Sequence, residues 1–392
     1  MSGGLPAARS VAVRTLRDPA SHEVLDEAIV VRFDGPASAT GEDVVELQCH
    51  GGRAVVDRLL VALGSVNGLR AAEPGEFTRR AFANGRIDLT EAEGLADLLE
   101  AQTESQRKAA LAVADGGLRR QIEGWQERLL GLAAAAERAI DYDEDDVELD
   151  HRLPAACEAL ASELEQWLQR PRAEPLKDGV LVVIAGPPNA GKSSLINAMA
   201  GEDRSIVTDV PGTTRDYVEV ALAIDGIPVR LTDTAGLRDT ADRVEAIGVA
   251  RSRRLIDAAD VLVWLGDAGN VPPHARAIMV HPRSDIAGRE PCHASAIATS
   301  VVTGEGLTSL MGRIRVLASQ VLPGEEDIAL NRRQAENLQA AEAALRSAAA
   351  ACDYPILAEE LRHARAAFDR VTGRAGVGNL LDELFSRFCL GK

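Results

Sequence analysis

The sequence predicts a multidomain α/β protein: an α/β domain inserted into an all-α domain, behind an N-terminal α+β domain. Three observations carry this. At 392 residues the chain is too long for one typical domain. Alternating strand and helix patterns from 178 to 318 are flanked on both sides by Ala-, Leu-, Glu- and Arg-rich helical stretches. The opening residues read instead as short β-rich segments between turns. The expected divisions are 1–75, 76–177, 178–318 and 319–392, the second and fourth being two parts of one helical domain.

Composition narrows the class. With 46% hydrophobic and 26% charged residues the chain builds real cores, and with 3% aromatics it favours packed helices and slender α/β layers. No run of 18 or so apolar residues suggests a membrane span, and no secretory signal is visible. Five scattered cysteines make no disulfide framework, so a reducing, cytoplasmic setting is expected. A net charge of −17 excludes a generally basic surface; any nucleic acid is held by a local patch or by a partner.

Residues 10–16 and 27–33 are β-rich, and 44–48 follows the turn Gly41-Glu42-Asp43. Gly51-Gly52 opens a helical stretch to Gly64, with His50 before it read as a turn residue. From Pro74 the pattern is helical to 141, interrupted at Gly116-Gly117, with Trp125 in its core. The acidic run 141–150 reads as a solvated helix end rather than a metal cluster. A helix over 153–169, with Trp167 as core, leads to the Pro171 to Pro175 linker. Residues 180–184 form an apolar strand that opens the alternating region, expected as a parallel sheet. After Pro323-Gly324 the chain is helical to its end.

The chemistry begins directly after that apolar strand. Gly186-x-x-x-x-Gly191-Lys192-Ser193 precedes a helical segment, the context in which backbone N–H groups wrap a phosphate at a helix N-terminus. Asn189, Ala190, Gly191, Lys192, Ser193 and Ser194 line this loop; Lys192 supplies charge to the β- and γ-phosphates and Ser193 a hydroxyl to Mg²⁺. Downstream, Thr208, Thr213 and Thr214 in the segment 208–216 offer further hydroxyls for Mg²⁺, Thr214 among them as a ligand. Asp233-Thr234-Ala235-Gly236 ends a strand, placing a carboxylate for Mg²⁺ and a Gly236 N–H for the γ-phosphate. These motifs in this order predict a P-loop GTPase (Ras-like) domain. Leu237 stands where a water-orienting glutamine is found in Ras, so another group must do that work.

The segments 188–194, 212–216 and 233–238 together resemble the Era-like GTPases. With the ending Phe388-Cys389-Leu390-Gly391-Lys392, and with 41–52 and 74–82, the chain resembles the MnmE (TrmE) family of tRNA uridine-34 modification GTPases almost throughout. The resemblance implies GTP/GDP, Mg²⁺, K⁺ and a tetrahydrofolate derivative (5-formyl or methylene form) as cofactors. It implies K⁺ held by Asn189, with the matching loop of Thr208, Asp209, Val210, Gly212 and Thr213 completing the nucleotide and ion shell; Thr208, Val210 and Thr213 are its K⁺ ligands. It implies Glu245 as the water-orienting acid, and folate contacts at Glu46, Arg86 and Lys392. Cys389 is either a catalytic thiol or a small residue packing a helix. The implied partners are a second copy through the N-terminal domain, the flavoprotein MnmG in a heterotetramer, and tRNA. An Era- or Der-like ribosome-assembly GTPase and a nucleotide-binding scaffold are the alternatives.

Two departures stand out. The base-reading motif Asn-Lys-x-Asp appears as Pro282-Arg283-Ser284-Asp285, which keeps the carboxylate Asp285 and loses the amide; Arg283 is expected to stack on the ring. The last base-side motif is read as Ser300-Val301-Val302-Thr303-Gly304-Glu305-Gly306, with 294–296 a decoy. The resemblance also implies a Gly-Arg-Gly-rich leading segment with another folate-contacting arginine. Its absence before Met1 reflects a truncated start or a reduced folate domain.

Overall fold

The computed structural model describes residues 4–141, 152–202, 219–234, 245–286, 292–324, 327–375, 378–386 and 388, with the backbone alone for 202, 245–251, 268, 378–380 and 383. In chain order the elements are β1 (Val11–Arg17), β2 (Val24–Phe33), β3 (Val44–Gln48), α1 (Arg53–Gly64), α2 (Glu76–Ala83), α3 (Leu89–Glu100), α4 (Glu104–Ala114) and α5 (Gly117–Asp141). They continue with α6 (Arg152–Leu168), α7 (Glu174–Lys177), β4 (Val180–Ala185), α8 (Lys192–Glu202), β5 (Glu219–Ile224), β6 (Ile227–Asp233), α9 (Glu245–Ala258) and β7 (Val261–Trp264). Then follow β8 (Ala277–Pro282), β9 (Ile297–Thr299), α10 (Leu307–Ala318), α11 (Arg332–Ala349), α12 (Tyr354–Thr372) and α13 (Gly378–Ser386). No described helix is long and apolar enough to cross a membrane. The chain divides into two compact units: Met1–Leu99 with Val113–Glu127 and Phe368–Lys392, and Glu100–Ala112 with Arg128–Ala367.

In the first unit β1, β2 and β3 form an antiparallel sheet in sequence order. Period-2 alternation sends Leu16, Ala28 and Val30 to one face, where Leu59 and Val55 of α1 close a core. Val11, Val13 and Ile29 alternate to the other face and are exposed. A second core joins residues some 300 apart in sequence: Leu89, Ala92 and Ala96 pack with Leu384, Phe385 and Phe388. Helix α3 starts on a reciprocal cap, in which Asp88 Oδ1 accepts the Glu91 N–H (2.9 Å) and Glu91 Oε2 accepts the Asp88 N–H (2.8 Å). Trp125 is buried and stacks on Phe368, ring centroids 6.1 Å apart.

In the second unit the sheet order is β5-β6-β4-β7-β8-β9. All pairs are parallel except β5 with β6, so the expected parallel sheet is mixed. The reason is local: Asp225 and Gly226, at φ 47° and 81°, make a two-residue hairpin, a connection too short for a parallel crossover. Strand β4 is covered on both faces, which is why it reads as one apolar run. Val182 and Ile184 pack toward Leu195 and Met199 of α8 and Ile314 of α10, whereas Val183 and Ala185 pack toward Leu255 and Ile256 of α9. Trp167 differs from expectation: it is half-buried, with the Arg170 guanidinium 4.0 Å from its ring centroid. Outside the sheet, α6 lies against α11, where Arg346 pairs with Glu158 (2.6 Å), Glu165 (2.8 Å) and Glu342.

Candidate functional site

Strand β4 has β6 on one side and β7 on the other, so the chain leaving it enters the crevice at the carboxyl ends of the strands, where the sheet order diverges. Gly186 begins the turn at φ 152°, and a Cβ there would lie 3.0 Å from the carbonyl oxygen of Leu265. The loop therefore lies flat on the end of β7, held further by the Leu265 N–H donating to Ala185 O at 2.8 Å. Asn189 at φ 61° and Gly191 at φ 96° complete the reversal. Ala190 N–H donates to Pro187 O (3.3 Å), and α8 starts at Lys192 with its first N–H groups at the loop.

Lys192 is only 5% exposed, and its Nζ donates to Gly186 O and Pro187 O, each at 3.1 Å. Ser193 Oγ donates to Asp233 Oδ2 at 2.5 Å, and Asp233, at the end of β6, is buried. Thr234 fastens that strand end to β4 by its N–H and its hydroxyl, both 3.3 Å from Ile184 O. Tertiary structure thus brings Lys192, Ser193 and Asp233 together from the ends of two adjacent strands. A hydroxyl and a carboxylate in contact form the hard oxygen donor set that Mg²⁺ takes, so these residues fit the ion. Ser194 lies exposed in the first turn of α8.

On the expected base side, Asp285 is exposed in the loop after β8. Ser300 is buried, and its Oγ accepts the N–H groups of Val302 and Thr303, both at 3.2 Å, which shapes the loop after β9. Two contacts that the motifs did not reveal tie these loops together. Ser284 N–H donates to Thr299 O (3.1 Å), and Ser284 Oγ donates to Glu305 Oε2 (2.8 Å). Arg283, in the same loop, donates to Asn189 O at 2.9 Å. Thr208, Asp209, Val210, Gly212, Thr213, Thr214, Ala235, Gly236, Leu237, Cys389 and Lys392 lie outside the described residues, as does the acidic run from 142 to 150; Glu245 opens α9 and is described by its backbone alone.

Two of the residues expected to contact folate lie in the first unit. Glu46 is exposed on β3, opposite Val31, and Arg86 is exposed beyond α2. Gly41, at φ 80°, runs so close that a Cβ would lie 2.9 Å from Asn84 Cβ and 3.1 Å from Arg86 Cγ. Asn84 donates to Thr40 O (2.8 Å), and Arg80 pairs with Glu42 (2.8 Å). The two segments that carried the resemblance, 41–52 and 74–82, are therefore adjacent in space. Phe388 packs in one cluster with Ile87 and Leu89. His50 has a specific partner: Asp26 accepts its Nδ1 and its backbone N–H, both at 2.8 Å, and the His50 N–H holds that carboxylate below its usual range.

Glu76 anchors this region. The Arg70 fork first, then the Glu73 N–H and Arg80, hold its carboxyl down to about 2. A depressed carboxyl stabilises the fold above its ordinary value of 4.5 and loses that contribution as pH falls toward 2. Urea unfolding followed from pH 5 to 2 is expected to show this loss, and Glu76→Gln to flatten the slope in that window.

Comparison with known proteins identifies the family. A family model described as the MnmE helical domain matches residues 89–389, and one for the GTP-binding protein TrmE N-terminus matches residues 2–86. The tRNA modification GTPase MnmE of Sphingopyxis alaskensis is 49% identical over 407 aligned positions, covering 100% of this chain and 97% of that protein. Those of Zymomonas mobilis and Erythrobacter litoralis are 46% and 49% identical, covering 99% and 100% of this chain and 92% of each relative. With a family model spanning residues 89–389 and such similarity along its whole length, the chain belongs to the MnmE family of tRNA modification GTPases.

Proposed function

We propose that the chain is a K⁺-activated GTP hydrolase that, with a flavin-dependent partner, adds an aminomethyl-type group to C5 of the wobble uridine of tRNA, in the cytoplasm. The observation that carries the nucleotide reading is the convergence of Lys192, Ser193 and Asp233 at the end of β4. Lys192 neutralises charge on the β- and γ-phosphates, the α8 N-terminus donates to them, and Ser193 with Asp233 holds Mg²⁺. Asn189, kept in a left-handed turn within that loop, would hold K⁺ together with Thr208, Val210 and Thr213. Bound there, K⁺ supplies positive charge toward the phosphates. Glu245 orients the attacking water in place of the missing glutamine, and Asp285 reads the base.

Glu46 and Arg86, with Lys392, hold the folate derivative, and Cys389 is the candidate catalytic thiol. The adjacency of 41–52, 74–86 and Phe388 supports this reading. The exposed apolar face of Val11, Val13 and Ile29 supports pairing with a second copy through the N-terminal domain. The net charge of −17 supports tRNA held by a local patch and by the partner MnmG rather than by the whole surface.

GTP turnover compared in K⁺ and in Na⁺ tests the reading. Roughly tenfold or greater stimulation by K⁺ is expected from added charge stabilisation at the phosphates. Equal, low rates in both salts would sink the cation mechanism.

A further inference from the structure

Residues 100–112 cluster with the second unit, although in sequence they lie far before its sheet. The contacts come from two neighbours in the first turn of α4. Ser105 Oγ donates to Gly226 O at 3.0 Å, on the hairpin residue directly before β6. Gln106 Nε2 donates to Leu176 O (3.1 Å) and Lys177 O (3.0 Å), the last carbonyls of α7, which leads through Asp178 and Gly179 into β4. The other side of the same amide caps its own helix: Gln106 Oε1 accepts the N–H groups of Gln102 (2.9 Å) and Thr103 (3.0 Å). A carboxamide has two donor hydrogens and two acceptor sites, and all four are used here.

The two strands held at their amino ends are the two that build the ion site at their carboxyl ends. Strands β4 and β6 are adjacent and parallel, from Val180 opposite Val229 to Ile184 opposite Asp233. Arg230 of β6 ties the amino ends once more, its Nε donating to Gly179 O at 3.3 Å. At the carboxyl ends Ser193 follows β4 through the phosphate loop, and its Oγ meets Asp233 Oδ2. A strand is already close to full extension, so a shift at one end is passed to the other instead of being absorbed by stretching.

We propose that the first turn of α4 is a clip that fixes β4 against β6, with Gln106 and Ser105 as positioning residues for the Mg²⁺ pair Ser193 and Asp233. This rests on the nucleotide reading above. The N–H groups offered to the phosphates belong to one continuous segment from β4 into α8, whereas the Mg²⁺ pair is split between two strands. The clip therefore governs the ion more than the phosphate cradle. The coupling is reciprocal: Mg²⁺ and nucleotide bound at the carboxyl ends steady the first turn of α4.

The test is binding of a fluorescently labelled, non-hydrolysable GTP analogue to the full chain, in Mg²⁺ and in EDTA. Gln106→Glu keeps both acceptor bonds of the helix cap and sets a carboxylate against two carbonyls in place of the donors. It is expected to weaken binding in Mg²⁺ by roughly fivefold, the scale of one hydrogen bond, and to leave binding in EDTA unchanged. Ser105→Ala should act in the same direction by roughly twofold. A loss no greater in Mg²⁺ than in EDTA, including none at all, overturns the proposal. Amide hydrogen exchange over residues 102–107 of the wild-type chain is the second readout. Exchange should be slower with analogue and Mg²⁺ than with analogue and EDTA, and equal exchange also overturns the proposal. Thermal midpoints identify a variant that unfolds early; if Gln106→Glu does so, Ser105→Ala decides by the same comparison of Mg²⁺ with EDTA. Failure of the wild-type chain to bind the analogue in either condition would count against the nucleotide reading itself.

Discussion

Lys192→Ala is expected to lower GTP turnover by roughly 10²- to 10³-fold, the scale seen when one preorganised donor is removed from a developing negative charge. The loss has two parts. The ammonium no longer reaches the phosphates, and the loop loses the bonds from Nζ to Gly186 O and Pro187 O that hold its curve. Lys192→Arg should not rescue, because the side chain is only 5% exposed and a planar fork does not fit where a compact ammonium caps two carbonyls. Turnover measured at saturating GTP checks this. A variant that keeps half the wild-type rate would remove Lys192 from the site.

The second large effect is structural. At Gly306 a Cβ would lie 1.9 Å from Ala298 O and 3.2 Å from Thr299 Cγ2, and the backbone there is left-handed at φ 75°. The obstruction is the backbone of β9 itself, so no flexible side chain can give way. Gly306→Ala is expected to destabilise the second unit by about 3 kcal/mol, combining overpacking with backbone strain. Because Gly306 caps α10 and closes the loop from Ser300, nucleotide affinity should fall with stability. Gly312→Ala is the control: it sits within α10, a Cβ there meets nothing within 4 Å, and helix propensity favours alanine. Urea midpoints should separate the two clearly; equal midpoints would show that β9 can yield.

How much of this was legible beforehand differs between the two units. The phosphate loop was readable because its chemistry is contiguous: strand, glycines, lysine, serine and helix occupy fifteen residues, 180–194, in one order. Asp233 was readable as the end of an apolar strand. The antiparallel β5 was missed although Asp225-Gly226 is a strong two-residue turn signal, because the neighbouring alternation of strands and helices suggested a uniform parallel sheet. Trp125 followed the helical pattern into the core. Trp167 followed the same pattern and stayed half-buried, because periodicity marks a face without saying how completely it is covered.

Residues in one short segment share geometry through local backbone rules, so the order of glycine, lysine and serine was enough to expect a phosphate cradle and to place it on β4. Contacts between distant segments obey no such rule. That Ser193 meets Asp233, that Arg283 reaches Asn189, and that Phe388 closes against Ile87 and Leu89 all depend on which strands and helices become neighbours. Those neighbours were chosen by burial of apolar faces across up to 300 residues of chain, a collective outcome that no single motif encodes.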